Sequence, residues 1–260
     1  MLQHVYERAS MARYLTGTII ATDDQRVFDA ARAFGAPVRM TRPDHLSGTD
    51  RVAEVASAES ASIIVNIQAD EPLIDPAAID AAILPVAHDA AIVMSTLKKR
   101  IEDPREIADP NVVKVVSNHA GDAIYFSRSP IPYCRQRVTS NNTLGAPQGN
   151  PQNSPQNDPQ GGPKAERSER LGTGQAMGPP HDGSAAYFKH IGMYVYQRDF
   201  LLNYSLLPVG PLERAERLEQ LRALENGYSI RVVETEYESF GVDTPEDLER
   251  VSRLFEATVI

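Results

Sequence analysis

The sequence predicts an α/β protein, one domain built on a mixed, mostly parallel sheet, and three stretches carry that prediction. In residues 63–75, I-I-V-N-I-Q-A-D-E-P-L-I-D, four of the first five side chains are apolar and β-branched, the pattern of a buried parallel strand that opens into a loop. Residues 16–40 give a strand-like run, a helical run closed by Gly35 and a short strand, the arithmetic of a β-α-β unit. Residues 240–248, F-G-V-D-T-P-E-D-L, read as a turn entering a helix, with Thr244 as N-cap, Pro245 at the first position and Glu246 and Asp247 in the first turn.

Taken in order, Leu2, Val5, Tyr6 and Ala9 share one helical face and predict a helix over residues 1–13. T-G-T-I-I-A-T at 16–22 predicts a strand, Asp23 or Asp24 caps a helix through Phe34, and residues 37–40 form the next strand. A polar loop, T-R-P-D-H-L-S-G-T-D-R at 41–51, precedes a helix over 52–60. The strand at 63 ends before Pro72, which a central strand cannot accommodate, and a helix starts near Pro76. Residues 90–98 form another buried strand, and 112–117 with 122–127 form an antiparallel hairpin over N-H-A-G-D. Residues 138–184 are nearly free of large apolar side chains, repeat P-Q-N, and predict a disordered insertion between residues 1–137 and 185–260 of one domain. In the strand at 187–197, alternation puts Phe188, His190, Gly192, Tyr194 and Tyr196 on one face and Lys189, Ile191, Met193 and Val195 on the other. A single helix follows from Pro211, with Leu212, Ala215, Leu218, Leu221 and Leu224 as its buried stripe and Gly227 as its stop. The last strand covers 230–238 and the last helix 244–255.

Composition excludes several functions. The net charge of −9, with a sequence pI near 5.2 and no basic stripe, opposes a nucleic-acid partner, whose phosphates require clustered Lys and Arg. No apolar run approaches the ~18 residues of a membrane span, and the opening M-L-Q-H-V-Y-E-R has no signal-peptide pattern, so a soluble cytoplasmic protein with no membrane partner is expected. Cys134, the single cysteine, fits a reducing compartment and a packing role.

Chemistry gathers where strands end. Open α/β sheets bind ligands beyond the carboxyl ends of their strands, and Gln68, Asp70 and Glu71 sit there. Carboxylates in that position suit Mg²⁺, which takes one or two from the protein and leaves its other positions to water and phosphate. The alternative is that Asp70 or Glu71 caps the helix at Pro76. Asp243, one residue before a cap, has no structural task and is free to meet a ligand. Ser47, Gly48 and Thr49 offer amides and hydroxyls at a helix start, with Arg51 adding charge, an arrangement for anions or, alternatively, an N-cap beside a solvated arginine. Arg128, at a strand end, offers a fork of donors for a carboxylate or phosphate, or else a surface ion pair. His190 and Tyr194 make one strand face polar, although a strand histidine is often structural; Glu219 and Gln220 read by spacing as surface residues.

Together, Q-A-D-E-P at 68–72 and G-V-D-T-P-E-D at 241–247 resemble the cytidylyltransferases that activate 3-deoxy-manno-octulosonate (Kdo), the sugar acid of Gram-negative outer-membrane lipopolysaccharide. S-G-T-D-R at 47–51, F-K-H-I-G-M-Y at 188–194 and L-E-Q-L-R at 218–222 extend the resemblance over nearly the whole chain outside the insertion. It implies a Rossmann-like nucleotide-diphospho-sugar transferase fold, a homodimer, and a reaction in which CTP and Kdo give CMP-Kdo and pyrophosphate. It also implies that Asp70 and Asp243 hold Mg²⁺, that Gln68, Arg128, His190, Tyr194, Glu219 and Gln220 orient the sugar acid, and that Ser47, Gly48, Thr49 and Arg51 line the nucleotide pocket. Two departures stand out. The family has glycine where this chain has Ala69, and its pattern places a strand and a phosphate-binding loop ahead of the helix at Met1, so the chain as given is expected to show little or no activity. The rival readings are an inert homologue or mis-started reading frame, and activation of another acidic sugar such as sialic acid.

Overall fold

In the computed structural model the described residues are 1–134, 186–242 and 244–258, with side chains through residue 255; the proposed insertion at 138–184 and Asp243 lie outside them. The elements begin with α1 (Leu2–Ala9), β1 (Ile20–Thr22), α2 (Gln25–Ala33), β2 (Val38–Met40), α3 (Gly48–Ser57) and β3 (Ile63–Asn66). They continue through α4 (Pro76–His88), β4 (Met94–Arg100), α5 (Pro104–Ala108), β5 (Lys114–Ser117) and β6 (Ala123–Ser127). After the undescribed segment come β7 (Phe188–Gln197), α6 (Arg198–Tyr204), α7 (Pro211–Glu216), α8 (Leu221–Glu225), β8 (Arg231–Glu234) and α9 (Pro245–Thr258).

The α/β class, the mixed sheet and the single domain hold, but the expectation of a mostly parallel sheet does not, because most described pairings of the main sheet are antiparallel. The main sheet runs β6-β5-β7-β4-β8, with β3 paired to β7, while β1 and β2 form a separate parallel pair. The long β7 organises the sheet, because β4 lies along one of its edges and β5 and β3 share the other. All of these pairings are antiparallel; in the main sheet β4 and β8 are the parallel pair among the described residues. The strand at 63 was expected to be parallel and buried, and here the expectation fails: β3 is antiparallel to β7 and Ile63, Ile64 and Val65 are half-buried. An apolar β-branched run reports burial tendency, and nothing in it specifies the direction of its partner.

Two cores cover the two faces. Ile191, Met193 and Val195 pack with α1 and α4, while Tyr196 packs with Phe200, Leu201 and Tyr204 of α6, Leu221 of α8 and Ala53 of α3, with Tyr194 alongside. That is the alternation expected along β7. Each such apolar side chain contributes roughly 1.5–3 kcal/mol when fully buried.

Several boundaries moved, among them the start of the strand expected at 90–98, which begins at Met94, and the end of the one expected at 230–238, which stops at Glu234; four shifts have a tertiary reason. The helix expected over 1–13 stops at Ala9, and the backbone N–H groups of Arg13 and Tyr14 donate instead to the Asp80 carboxylate of α4, at 3.1 and 3.0 Å. The strand expected at 16–22 pairs only from Ile20, where β2 begins. α3 begins at Gly48, four residues before the expected start, because Ser47 accepts from the Asp50 N–H as its N-cap. The helix expected from Pro211 to the stop at Gly227 is two short helices, broken at Arg217, whose φ of 53° lies in the left-handed region. Its supposed stripe is divided accordingly: Leu218 and Leu221 are buried, while Leu212 is exposed and Glu213 takes the inward position. α5 and α6 carried too few residues for the hydrophobic period to reveal them.

Gly210, just before α7, is a packing requirement. The Glu225 carboxylate accepts from the Leu212 and Glu213 N–H groups at 2.8 and 2.9 Å, and an added Cβ on Gly210 would come within 2.2 Å of its Cδ. Gly210→Ala is therefore expected to push this cap away and lower stability by about 1 kcal/mol, the usual worth of an N-terminal cap, in urea unfolding. An unchanged midpoint would show that Glu225 re-seats without loss.

Candidate functional site

The site lies on the β7 face that carries His190 and Tyr194, between the start of α3 and the break separating α7 from α8. Its polar centre is Glu219. The carboxylate accepts from the Ser47 and Thr49 hydroxyls, each at 3.1 Å, and its main-chain carbonyl accepts from Tyr204 Oη at 2.7 Å. Burial pushes the Glu219 carboxyl above its usual range, against the opposing pull of the Arg222 charge and the two hydroxyls. The helix break brings Glu219 here. Arg222 forms a forked ion pair with Glu213, with a closest approach of 2.6 Å, and Glu216 accepts from the Ser127 hydroxyl at 2.6 Å, so α7 and α8 are pinned on either side of the turn.

From the other side, β3 delivers Asn66 opposite Tyr194 and then Gln68, whose Nε2 donates to Asn66 Oδ1 at 3.3 Å. Gln68 Oε1 lies 3.9 Å from where a Cβ on Gly48 would stand, which joins the 68–72 loop to the start of α3. The structure thus brings Ser47, Gly48, Thr49, Gln68 and Glu219 into one contact set. Gln220, next to Glu219, is buried, and its Nε2 has no hydrogen-bond partner among the described residues.

His190 has a fixed tautomer. The Thr96 hydroxyl donates to the Met193 carbonyl at 2.7 Å, so it accepts from His190 Nε2 at 2.9 Å, and Nδ1 is left as an acceptor. The ring also packs edge-on to Phe126, with centroids 5.0 Å apart. Burial drives its pKa down to about 3, so the ring is neutral at ordinary pH. Because the folded value lies below the ordinary one, 6.5, the stabilising contribution is complete above pH 6.5 and drains away as pH falls toward 3. The expected loss is on the order of 3 kcal/mol over that window, allowing for partial exposure at ~1.4 kcal/mol per unit. His190→Gln, measured by denaturant unfolding at several pH values, should flatten that part of the profile; an unaltered acid slope would contradict it. Burial first, and then the neighbouring Tyr204 and Glu219, raises the Tyr194 pKa and keeps its hydroxyl protonated as a donor.

Two expected contacts lie outside this set. Arg51 donates to Thr41 Oγ1 at 2.6 Å and to Asp23 Oδ2 at 2.9 Å, bridging the carboxyl ends of β1 and β2. Arg128 donates from Nε to the Glu216 carbonyl at 2.8 Å and from a terminal nitrogen to the Pro110 carbonyl at 2.9 Å, so main-chain oxygens hold part of its fork.

The two acidic loops meet. The Val242 N–H donates to the Asp70 carbonyl at 3.0 Å, and Glu71 accepts from Tyr237 Oη at 2.8 Å and from the Ser239 hydroxyl. Asp75 caps α4 by accepting from the Ala77 N–H at 3.0 Å, which excludes the capping role weighed for Asp70 and Glu71. Thr244 and Asp247 exchange main-chain donors at 3.2 and 3.1 Å as a capping box for α9. Among the described residues no group of three or more His, Cys, Asp or Glu converges as a metal cage, but two carboxylates suffice for Mg²⁺. Ala69 fits without strain, since Arg217 is the one non-glycine with positive φ among the described residues. Asn66 and Thr96 were missed from sequence; a lone polar residue closing I-I-V-N was the signal for the first.

A groove of about 360 Å³ between α4 and β8, lined by Leu84, His88, Asp89 and Arg231 among others, contains none of these residues. No helix among the described residues is long and apolar enough to cross a membrane.

The model of a family described as Cytidylyltransferase matches residues 1–230. The chain is 65% identical over 260 residues to the 3-deoxy-manno-octulosonate cytidylyltransferase of Solibacter usitatus, covering 100% of this chain and 86% of that protein. It is 49% identical over 251 residues to the protein of that name from Geobacter metallireducens, covering 96% and 85%. A solved CMP:2-keto-3-deoxy-manno-octonic acid synthetase complexed with CTP superposes with a TM-score of 0.78 at 38% identity, over 99% of this chain and 88% of that one. The 4-diphosphocytidyl-2C-methyl-D-erythritol synthase of Anaerococcus prevotii, at 9% identity with a TM-score of 0.53 over 98% and 88%, shares the fold alone.

Proposed function

Because the chain belongs to the cytidylyltransferase family, with the 3-deoxy-manno-octulosonate cytidylyltransferases as its near relatives, we propose that it couples CTP to Kdo, giving CMP-Kdo and pyrophosphate for lipopolysaccharide biosynthesis. The observation that carries the reading is the Glu219 carboxylate on the Ser47 and Thr49 hydroxyls, which closes the start of α3 against the polar face of β7. That arrangement sets a nucleotide-side wall beside a sugar-side wall.

In the reaction the anomeric hydroxyl of Kdo attacks the α-phosphorus. The new oxygen–phosphorus bond forms as the bond to pyrophosphate breaks, and the hydroxyl proton leaves to solvent. No protein nucleophile is needed, so alignment dominates. His190 Nδ1 accepts from a sugar hydroxyl, Tyr194 donates, and Gln68, Glu219, Gln220 and Arg128 complete the orientation of the acid. The N-terminus of α3, with Ser47, Gly48 and Thr49, meets nucleotide phosphate, and Arg51 supports it with positive charge. Asp70 and Asp243 would hold Mg²⁺, and the joining of their loops through Asp70 and Val242 suits that pairing. When bound, the ion supplies positive charge for the attacking and leaving oxygens. A homodimer in the cytoplasm completes the proposal, with light scattering as the check on assembly.

The test is pyrophosphate release from CTP with Mg²⁺, using Kdo and N-acetylneuraminate in parallel. It is run on residues 1–260 and on a version extended upstream by the strand and loop of the family pattern. Kdo-dependent release in the extended version, with little from the other acid, is expected. Equal rates with both acids, or none with Kdo in either version, would overturn the reading.

A further inference from the structure

Asn66 ends β3 with its side chain almost wholly buried, at 3% exposure, and strand alternation puts it on the same face as Ile64, toward the core that holds Tyr196 and α3. Its register partner is Tyr194. Oδ1 accepts from Gln68 Nε2, but Nδ2 is buried with no partner among the described residues, and the same is true of Nε2 of Gln220 at 4% exposure. Natural proteins keep few buried donors unpaired, because each forfeits its hydrogen bonds to water. Both amides belong to segments that line the site, and a polyhydroxylated acid is rich in the oxygen acceptors they lack.

We propose that Asn66 is a substrate-binding residue, with Nδ2 donating to an oxygen of the sugar acid while Oδ1 holds the exposed Gln68 amide above it. The inference rests on the proposed Kdo activity and adds a residue to its sugar side. Asn66 then sets affinity for the acid at a cost in stability, and an apolar side chain of similar size should reverse both effects.

The test compares the upstream-extended version, unsubstituted, with its Asn66→Leu and Asn66→Ser variants, measuring Kdo and CTP binding by calorimetry and Tm by scanning calorimetry. Expected for Asn66→Leu are Kdo binding at least tenfold weaker, CTP binding within twofold, and Tm unchanged or higher. Asn66→Ser, which keeps a donor, should recover part of the Kdo affinity. Unchanged Kdo binding in Asn66→Leu, or weakening of CTP instead, overturns the assignment. Equal losses in both variants with Tm lowered in both mean a structural residue, and overturn it too. If the unsubstituted protein binds no Kdo in either version, the functional reading fails and takes this inference with it, whereas the preceding outcomes remove this inference alone.

Discussion

Asp70→Asn is expected to lower Mg²⁺-dependent turnover with CTP and Kdo by on the order of a thousandfold, while shifting stability by less than ~1 kcal/mol. Asparagine keeps the shape of the side chain, and the Asp70 carbonyl still accepts from Val242, so the loop should stay in place. What goes is the negative charge, and a neutral amide is a poor ligand for a small, strongly hydrated dication. The capping of α4 is untouched because Asp75 performs it. Steady-state kinetics over a Mg²⁺ titration, in a version that turns over, checks the effect, and chelation should bring the unmodified enzyme to the same residual rate. A variant that retains more than a tenth of normal kcat/KM at saturating Mg²⁺ would remove Asp70 from the metal site.

Arg222→Ala is expected to destabilise the fold by about 3–5 kcal/mol, the cost of leaving one partner of a buried ion pair uncompensated. The two side chains are 12% and 10% exposed and joined by a fork, and the guanidinium also lies over the Tyr204 ring at 5.3 Å. Its charge is one of the influences holding Glu219 down against burial, so its removal should raise the Glu219 carboxyl further. Loss of the clamp frees the turn that carries Glu219 and Gln220, so KM for the acid should rise as well. Removing both charges in Glu213→Leu/Arg222→Met should recover much of the lost stability. Denaturant unfolding of Glu213→Leu, Arg222→Met and the double, beside Arg222→Ala, checks this, and a loss below about 1 kcal/mol in each single variant would make the pair a surface contact in energetic terms.

The sequence was most legible where one side chain decides one local geometry. Asp24 accepts from the Arg26 N–H as the cap of α2, Gly35 has φ of +81° just past its end, and Gly121 turns the β5–β6 hairpin at +84°. Alternation along β7 was correct because a strand with a core on each face must alternate. The family resemblance pointed to Gln68, Glu219 and the Ser47–Thr49 group, which the fold does bring into contact, whereas spacing alone had put Glu219 on the surface. Residues whose roles depend on distant partners were beyond it. Nothing near Asn66 announces that its amide will be buried without an acceptor, and nothing near Arg128 announces the Pro110 and Glu216 carbonyls that receive its donors.

By itself, then, the chain determined its α/β class, its caps and turns, the two faces of β7 and the acidic loops at strand ends, all set by contacts within a few residues. Tertiary structure alone decided that β3 runs antiparallel to β7 and that the helix from Pro211 breaks at Arg217. The continuous apolar pattern favoured an unbroken helix. Against it stood the Glu213–Arg222 ion pair, the Glu216 contact to Ser127 and the burial of Leu218, none of which a straight helix on its own could make. Helix propensity differs by only tenths of a kcal/mol per residue, whereas fully burying a leucine is worth roughly 1.5–3 kcal/mol and leaving one member of the Glu213–Arg222 pair buried without the other would cost about 3–5 kcal/mol. The tertiary contacts therefore outweighed the local preference, and in breaking the helix they turned Glu219 into the site.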